Sequence, residues 1–180
     1  MTFRLFFTSI ILSVCLLSAC DKDEDMLDEV EVEVDNHNLE ENLIDTLVTF
    51  DGVQFVRTPE ECFKNLPDWP YDYQYVEIDG LRQAYAEAGP ADGEVVLLLH
   101  GQPSWSYLYR TMIPVLSEAG YRVIAMDHVG MGRSDKPVDI EDYSYVGHSD
   151  RLERFIQQLG LSDINLFVQD RRSLTGLRVA

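Results

Sequence analysis

The sequence predicts an α/β fold in which a mostly parallel sheet is flanked by helices. Three apolar runs, at residues 95–99, 121–126 and 164–168, show no alternation of polar and apolar residues. Continuous runs of this kind are typical of strands covered on both faces. The stretches between the runs have helical patterns instead. Because strand and helix alternate along the chain, we expect an open sheet with parallel neighbours.

Residues 1–19 are interpreted as a targeting segment, because Arg4 precedes an apolar run too short to cross a bilayer as a helix. The run ends in Leu17-Ser18-Ala19-Cys20, which resembles the lipobox of bacterial lipoproteins. The resemblance implies a lipid on the Cys20 thiol and anchoring to a bacterial membrane on its periplasmic side. Asp21 resembles a signal for retention in the inner membrane. A secretory signal with an incidental cysteine is the alternative.

Residues 20–57 are predicted to be a disordered, acidic tether. Acidic side chains crowd the stretch 21–45, where Lys22 is the only base. Such a run repels itself and can bury little apolar surface. An edge strand over residues 29–34, where Glu and Val alternate, is the alternative.

Charge and cysteine content exclude several classes of function. The net charge of −18 argues against a nucleic-acid partner, since phosphate binding requires clustered basic residues. With Cys15 and Cys20 assigned to the signal, Cys62 stands alone and no internal disulfide is expected. No Cys/His cluster has the spacing of metal ligands. The sequence implies neither a metal nor an organic cofactor.

The globular part is predicted to span residues 58–180. A short helix is expected to open at residues 58–63. Side chains alternate over residues 73–78, and Asp79-Gly80 then predicts a hairpin into residues 81–88. These two strands are expected to be antiparallel.

Two helices are predicted between the apolar runs. The first covers residues 112–119, where Pro114 is expected to kink or restart it. The second is capped by Asp142 or Ser144. Its apolar stripe comprises Leu152, Phe155, Ile156 and Leu159. Because ligands bind beyond the carboxyl ends of parallel strands, we expect function in the segments that follow the three runs.

Two of these segments carry loop motifs. Residues 100–110 begin His-Gly-Gln-Pro and resemble the loop after the third strand of α/β hydrolases, and residues 127–137 resemble the loop after the fourth. The resemblance implies that Gln102 helps to hold a leaving halide or transition-state charge. A loop amide bonded to its own backbone is the alternative. His100 is expected to be a structural residue of the turn.

The third segment resembles the nucleophile elbow of α/β hydrolases, a sharp turn from strand to helix. Its attacking position holds Asp170, as in haloalkane dehalogenases, and Gln102, Trp105 and Gln169 also favour that family. A carboxylate can displace halide at an sp³ carbon, and a His-activated water then hydrolyses the alkyl ester. Epoxide hydrolases, which share the Asp nucleophile, are one alternative. A solvated, helix-capping aspartate is another.

The elbow departs from the family at Arg171 and Arg172, which stand where members typically have Trp and Gly. The resemblance assigns charge stabilisation to the backbone N–H of Arg171 together with Gln102. Arg172 is expected to crowd the contact between strand and helix. All four histidines precede Asp170, and the sequence stops at Ala180. We therefore expect a truncated α/β-hydrolase fold without the cap domain, the C-terminal half, the catalytic base or the acid.

The prediction is thus a haloalkane dehalogenase-like hydrolase for a small halogenated substrate, held at a membrane by a lipid. In this form it is expected to release no halide from bromoalkanes. The alternatives are an epoxide hydrolase-like enzyme and a non-catalytic, lipid-anchored remnant or binding protein.

Overall fold

A computed structural model describes residues 4–5, 45–170 and 172–179, without the side chains of residues 4, 5, 172 and 173. The strands are β1 (Arg4–Leu5), β2 (Leu47–Val48), β3 (Gln54–Val56), β4 (Tyr73–Ile78), β5 (Leu81–Ala88), β6 (Val95–Leu99), β7 (Arg122–Met126), β8 (Lys136–Pro137) and β9 (Asn165–Val168). The α-helices are α1 (Met112–Glu118), α2 (Tyr145–Gln158) and α3 (Arg172–Val179). Short 3₁₀ helices cover Glu60–Phe63, Ser106–Tyr109 and Ile140–Asp142.

The main sheet has six strands in the order β1-β9-β6-β7-β5-β4. Strands β1, β9, β6 and β7 are parallel neighbours. Strands β5 and β4 extend the sheet by antiparallel pairing, which confirms the predicted hairpin. The sheet is therefore mixed, and the three apolar runs form its parallel part.

The core occupies both faces of this sheet. Successive residues of a strand point to opposite faces, and β6 shows the consequence. Leu97 and Leu99 pack with Phe155 of α2, whereas Val96 and Leu98 pack on the other face with Ile113 of α1. All five residues of β6 are buried. Helices on both faces explain why the run carries no polar alternation.

A second, three-stranded sheet corrects the predicted tether. Its order is β2-β3-β8, and its strands pair antiparallel. Phe55 of β3 is buried against Leu81 and Val129. The prediction of a disordered tether is thus wrong for residues 45–57. Those residues fold because Phe55 fits an apolar site that a distant part of the chain provides.

The rest of the N-terminal prediction lies outside the described residues. This holds for Cys20 and for most of the proposed targeting segment, of which only Arg4–Leu5 is described, as strand β1. In the part of the chain that the structure covers, no helix combines the length and the apolar character needed to span a membrane.

The helix boundaries follow local chemistry. Ser144, one of the two predicted caps, accepts a hydrogen bond from the Gly147 N–H at 3.0 Å and starts α2. Pro114 is the third residue of α1. A proline fits there, because the first backbone N–H groups of a helix have no acceptor within it.

Candidate active site

Three loops meet at the carboxyl edge of the parallel strands. They follow β6, β7 and β9, as the sequence predicted for its three motifs. The backbone N–H of Gln102, after β6, donates to Oδ2 of Asp170, after β9, at 3.3 Å. The structure therefore brings these two predicted site residues together, although 68 positions separate them in the sequence.

Asp170 occupies a sharp turn between β9 and α3. Its φ is +56°, in the left-handed region that side chains other than glycine rarely adopt. The Gln169 N–H donates to the Leu99 carbonyl at 3.2 Å, so that pairing with β6 continues to the start of the turn. The Asp170 side chain is exposed. This arrangement is a strand-turn-helix elbow with its carboxylate presented at the surface.

Gly101 allows the loop after β6 to lie against this elbow. A Cβ at position 101 would come within 2.7 Å of the Asp170 Cβ and 3.3 Å of its Oδ2. Those distances are too short for a side chain, so glycine is required by the close approach rather than by a positive φ. The following Gln102–Pro103 peptide bond is cis.

Gly176 of α3 lies directly against the sheet. A Cβ there would lie 2.8 Å from Val168 Cγ1 and 2.9 Å from Leu166 Cδ2. Arg171 and the Arg172 side chain lie outside the described residues, so the predicted roles of both arginines remain predictions. The structure adds that close helix–strand packing depends on position 176.

His100 is a structural residue of the turn, as expected. It is fully buried, and its Nδ1 lies 2.8 Å from the Gly101 carbonyl oxygen. The His128 backbone N–H donates to its Nε2 at 3.0 Å. The ring therefore joins the loop after β6 to the loop after β7.

Asp127 holds the loop after β7 in place. Its carboxylate is fully buried and accepts the N–H groups of Ser106 and Arg133, each at 2.8 Å. Burial raises the pKa of this carboxyl, and the hydrogen bonds from Ser106 and Arg133 oppose that rise. A Cβ at Gly132 would lie 2.3 Å from Asp127 Oδ2. The sequence motif at residues 127–137 does not by itself indicate that Asp127 holds two loops together.

An aromatic wall supports the loop after β6. The Tyr73 hydroxyl lies 2.9 Å from Ser106 Oγ, and burial raises the pKa of Tyr73. The Trp105 ring is stacked with Tyr73 and tilted against Phe63, with ring centroids 6.4 Å and 5.3 Å away. The Arg133 guanidinium lies over the same two rings, 4.4 Å and 4.3 Å from their centroids. Trp105 therefore serves to pack the loop.

Asp135 fastens the loop after β7 to the residue that follows β3 and to β5. Its buried carboxylate receives two hydrogen bonds from Arg57, from Nε and Nη2, both at 2.7 Å, and a third from the Arg82 N–H at 2.7 Å. The contact raises the pKa of Arg57. The dipeptide Asp51-Gly52 is typical of hairpins and could have indicated the turn between β2 and β3. No residue near Arg57 in the sequence indicates that Asp135 is its partner.

A cleft of about 850 Å³ opens beside Gln102. It is lined by Gln102, Gly130, Met131, Ile140, Tyr143, Tyr145, His148, Leu174 and Thr175. Most of these side chains are apolar or aromatic, which suits a small apolar ligand. The side chain of His148, on α2, is buried.

Residues 94–180 match the family model described as the alpha/beta hydrolase fold. Together with the sheet order and the elbow, this match shows that the chain has an α/β-hydrolase fold, as predicted. A haloalkane dehalogenase from Mycolicibacterium paratuberculosis is 52% identical to it over 130 residues, which cover 69% of this chain and 43% of that protein. The chain thus spans less than half the length of this relative.

Solved structures of two kinds of enzyme are also similar to this chain. The tetrameric haloalkane dehalogenase from Paraglaciecola agarilytica NO2 is 45% identical, with a TM-score of 0.68, over 71% of this chain and 44% of that one. An epoxide hydrolase from Vigna radiata is 32% identical, with a TM-score of 0.57, over 61% of this chain and 35% of that one. Both kinds of enzyme are therefore structural relatives.

Proposed function

We propose that the chain is the nucleophile-bearing part of a haloalkane dehalogenase-like hydrolase. The observation that carries the proposal is the Asp170 carboxylate, presented from a left-handed turn beside the Gln102 N–H. An aspartate at this position can attack a saturated carbon, whereas the serine of an ordinary esterase attacks a carbonyl. The identity of about 50% to haloalkane dehalogenases supports the same reaction class.

In the proposed first step, an Asp170 carboxylate oxygen forms a bond to the carbon that bears the halogen. The carbon–halogen bond breaks, and the halide leaves with the bonding electron pair. The product is an alkyl ester of Asp170. The Gln102 side chain, at the edge of the cleft, is proposed to stabilise the leaving halide.

In the proposed second step, water attacks the carbonyl carbon of the ester, and negative charge develops on the carbonyl oxygen. The N–H of Gln102 lies within reach of that oxygen, and the N–H of Arg171 is proposed as the second donor. A base must accept a proton from this water. His100, His128 and His148 are all buried, and none of them is proposed for this role. Among the described residues no base is therefore proposed. In place of the expectation that no halide is released, we propose that the exposed Asp170 carboxylate releases one halide per chain in the first step, without steady-state turnover.

Covalent labelling tests the nucleophile separately from turnover. The purified chain is incubated with 1-bromohexane, and its intact mass and the modified residue are determined by mass spectrometry. We expect one hexyl group on Asp170, absent from Asp170→Asn. Asp163→Asn is the matched control, because Asp163 is also an exposed aspartate with a positive φ. Labelling that persists in Asp170→Asn, or fails entirely in the wild-type chain, contradicts the proposal.

An epoxide substrate is the second candidate, favoured by the likeness to the Vigna radiata epoxide hydrolase. Attack by Asp170 on an epoxide carbon would break the carbon–oxygen bond and open the ring, and the resulting alkoxide would take a proton from water to give a hydroxyalkyl ester. Parallel labelling with styrene oxide distinguishes the two substrates by the mass added. A larger adduct yield from the epoxide than from the bromoalkane would reverse our choice.

We further propose that Cys20 carries a lipid that holds the chain at a bacterial membrane. The support is the Leu17-Ser18-Ala19-Cys20 sequence. In a bacterial host, the chain is expected to incorporate an alkyne-tagged fatty acid and to sediment with membranes. Cys20→Ser should abolish both, and Cys62→Ser should change neither. A Cys20→Ser variant that still incorporates the fatty acid would contradict lipidation at Cys20.

A further inference from the structure

We propose that His100 is a positioning residue, held as the neutral tautomer with its proton on Nδ1, that aims the Gln102 N–H at Asp170. The value of this role for catalysis rests on the proposed function, but the positioning itself does not. The structural basis is one peptide unit, between Gly101 and Gln102, that has a partner at each end.

The two partners lie on opposite sides of this unit. The peptide is planar and trans, so its C=O and N–H point in opposite directions. The Gly101 oxygen lies 2.8 Å from His100 Nδ1, and the Gln102 nitrogen lies 3.3 Å from Asp170 Oδ2. Rotation of the peptide plane would break both contacts. A group that holds the carbonyl therefore also sets the direction of the N–H.

The contacts of the ring determine its protonation. A carbonyl oxygen can only accept, so Nδ1 must carry the proton in its contact with Gly101. The His128 N–H donates to Nε2, which must therefore have a free lone pair. An imidazolium would direct a second N–H at the His128 N–H. The neutral tautomer is the one that satisfies both contacts.

The surroundings keep the ring in this orientation. His100, which directly follows β6, is fully buried, and the His128 ring packs edge-on against it with centroids 4.7 Å apart. Gly101 lies close to Asp170, since a Cβ at position 101 would come within 2.7 Å of the Asp170 Cβ. Donation to the carbonyl also polarises the peptide, which strengthens its N–H as a donor. The arrangement thus orients and strengthens the same N–H.

The tautomer is tested first, on the unmodified chain. Long-range ¹⁵N–¹H correlation spectra distinguish a protonated from an unprotonated nitrogen in each histidine ring. At neutral pH we expect His100 with a protonated Nδ1 and an unprotonated Nε2. Observation of the Nε2–H tautomer, or of an imidazolium in the folded protein, overturns the proposal.

The positioning is tested by the Gln102 amide proton. Its chemical shift should move when the Asp170 carboxylate ionises, and Asp170→Asn should remove that movement. His100→Leu is expected to reduce the amplitude at least twofold. His100→Asn is expected to retain most of it, because the Asn side-chain N–H₂ can donate to the Gly101 carbonyl in place of Nδ1.

An unchanged amplitude in His100→Leu would overturn the role, since a merely structural histidine would not alter this signal. If His100→Leu does not fold, the test rests on His100→Asn, where loss of the amplitude in a folded protein overturns the proposal. The labelling experiment reports separately on function. A titrating Gln102 amide without hexyl labelling rejects the nucleophile and leaves the positioning intact.

Discussion

Asp127 and Asp170 occupy similar places in the topology but very different surroundings. Each lies just beyond the carboxyl end of a parallel strand, β7 or β9. Asp127 is fully buried and accepts two backbone N–H groups at 2.8 Å. Asp170 is exposed, and among the described residues it accepts the Gln102 N–H, at 3.3 Å. One carboxylate is buried and bonded within the fold, and the other is open to solvent and to a substrate.

The difference shows how one sheet edge can supply both support and chemistry. A fully buried carboxylate can hold two loops together, but its burial keeps it from a substrate. A carboxylate on a strained, exposed turn contributes little to stability and stays available. Stability measurements should therefore separate the two residues, whichever substrate the protein uses.

Asp127→Asn should have the largest effect. The Asn side chain has one carbonyl oxygen, so the N–H of Ser106 or Arg133 would face an N–H₂ group inside the protein. We expect a loss of about 2–4 kcal/mol in the free energy of unfolding, measured in urea. Asp170→Asn should change it by less than about 0.5 kcal/mol. Equal losses of unfolding free energy in Asp127→Asn and Asp170→Asn would contradict the idea that only Asp127 supports the fold.

Gly132→Ala should have the second largest effect on stability. The added Cβ would lie 2.3 Å from Asp127 Oδ2, at a residue with φ +53°. Gly120 is the matched control, because it also has a positive φ but nothing within 4 Å of a Cβ. We expect Gly120→Ala to cost about 1 kcal/mol and Gly132→Ala about 2 kcal/mol more. If Gly132→Ala and Gly120→Ala had similar midpoints in thermal unfolding, the loop around Asp127 would be able to move and accommodate the added methyl group.

Arg57→Ala should have a moderate effect, since it leaves the buried Asp135 without its cation. The Arg57 side chain is 38% exposed, so water moderates the loss to about 1–2 kcal/mol. Arg154→Ala is the control, because Arg154 and Asp79 form a pair that is exposed on both sides. Arg154→Ala should lower the free energy of unfolding, measured in urea, by less than about 0.5 kcal/mol. A larger loss from the exposed pair would contradict this ranking.

Asp170→Gly should have the smallest effect on stability. Glycine relieves the positive φ but gains entropy in the unfolded chain, so we expect a change within about 0.5–1 kcal/mol. Asp163→Gly, at φ +50°, should behave alike. Calorimetric unfolding measures both. A loss well above this range at residue 170 alone would mean that its carboxylate stabilises the fold.

The core elements could be predicted from the sequence because their signals are local. The apolar run at 95–99 and the dipeptide Asp79-Gly80 each report on neighbouring residues. Strands β2 and β3 were missed because they are two and three residues long. Their stability depends on contacts of Phe55 and Arg57 with residues far away in the sequence. Such contacts produce no periodic pattern of apolar residues.

The sequence by itself determined the parallel strands, the helices between them and an aspartate at the expected elbow. Those features depend on residue spacing, which the sequence states directly. Only the tertiary structure decided that the N–H of Gln102 faces Asp170, that His100 holds that peptide, and that Asp127 is buried while Asp170 is not. Each depends on the distance between segments that meet only after the sheet has formed.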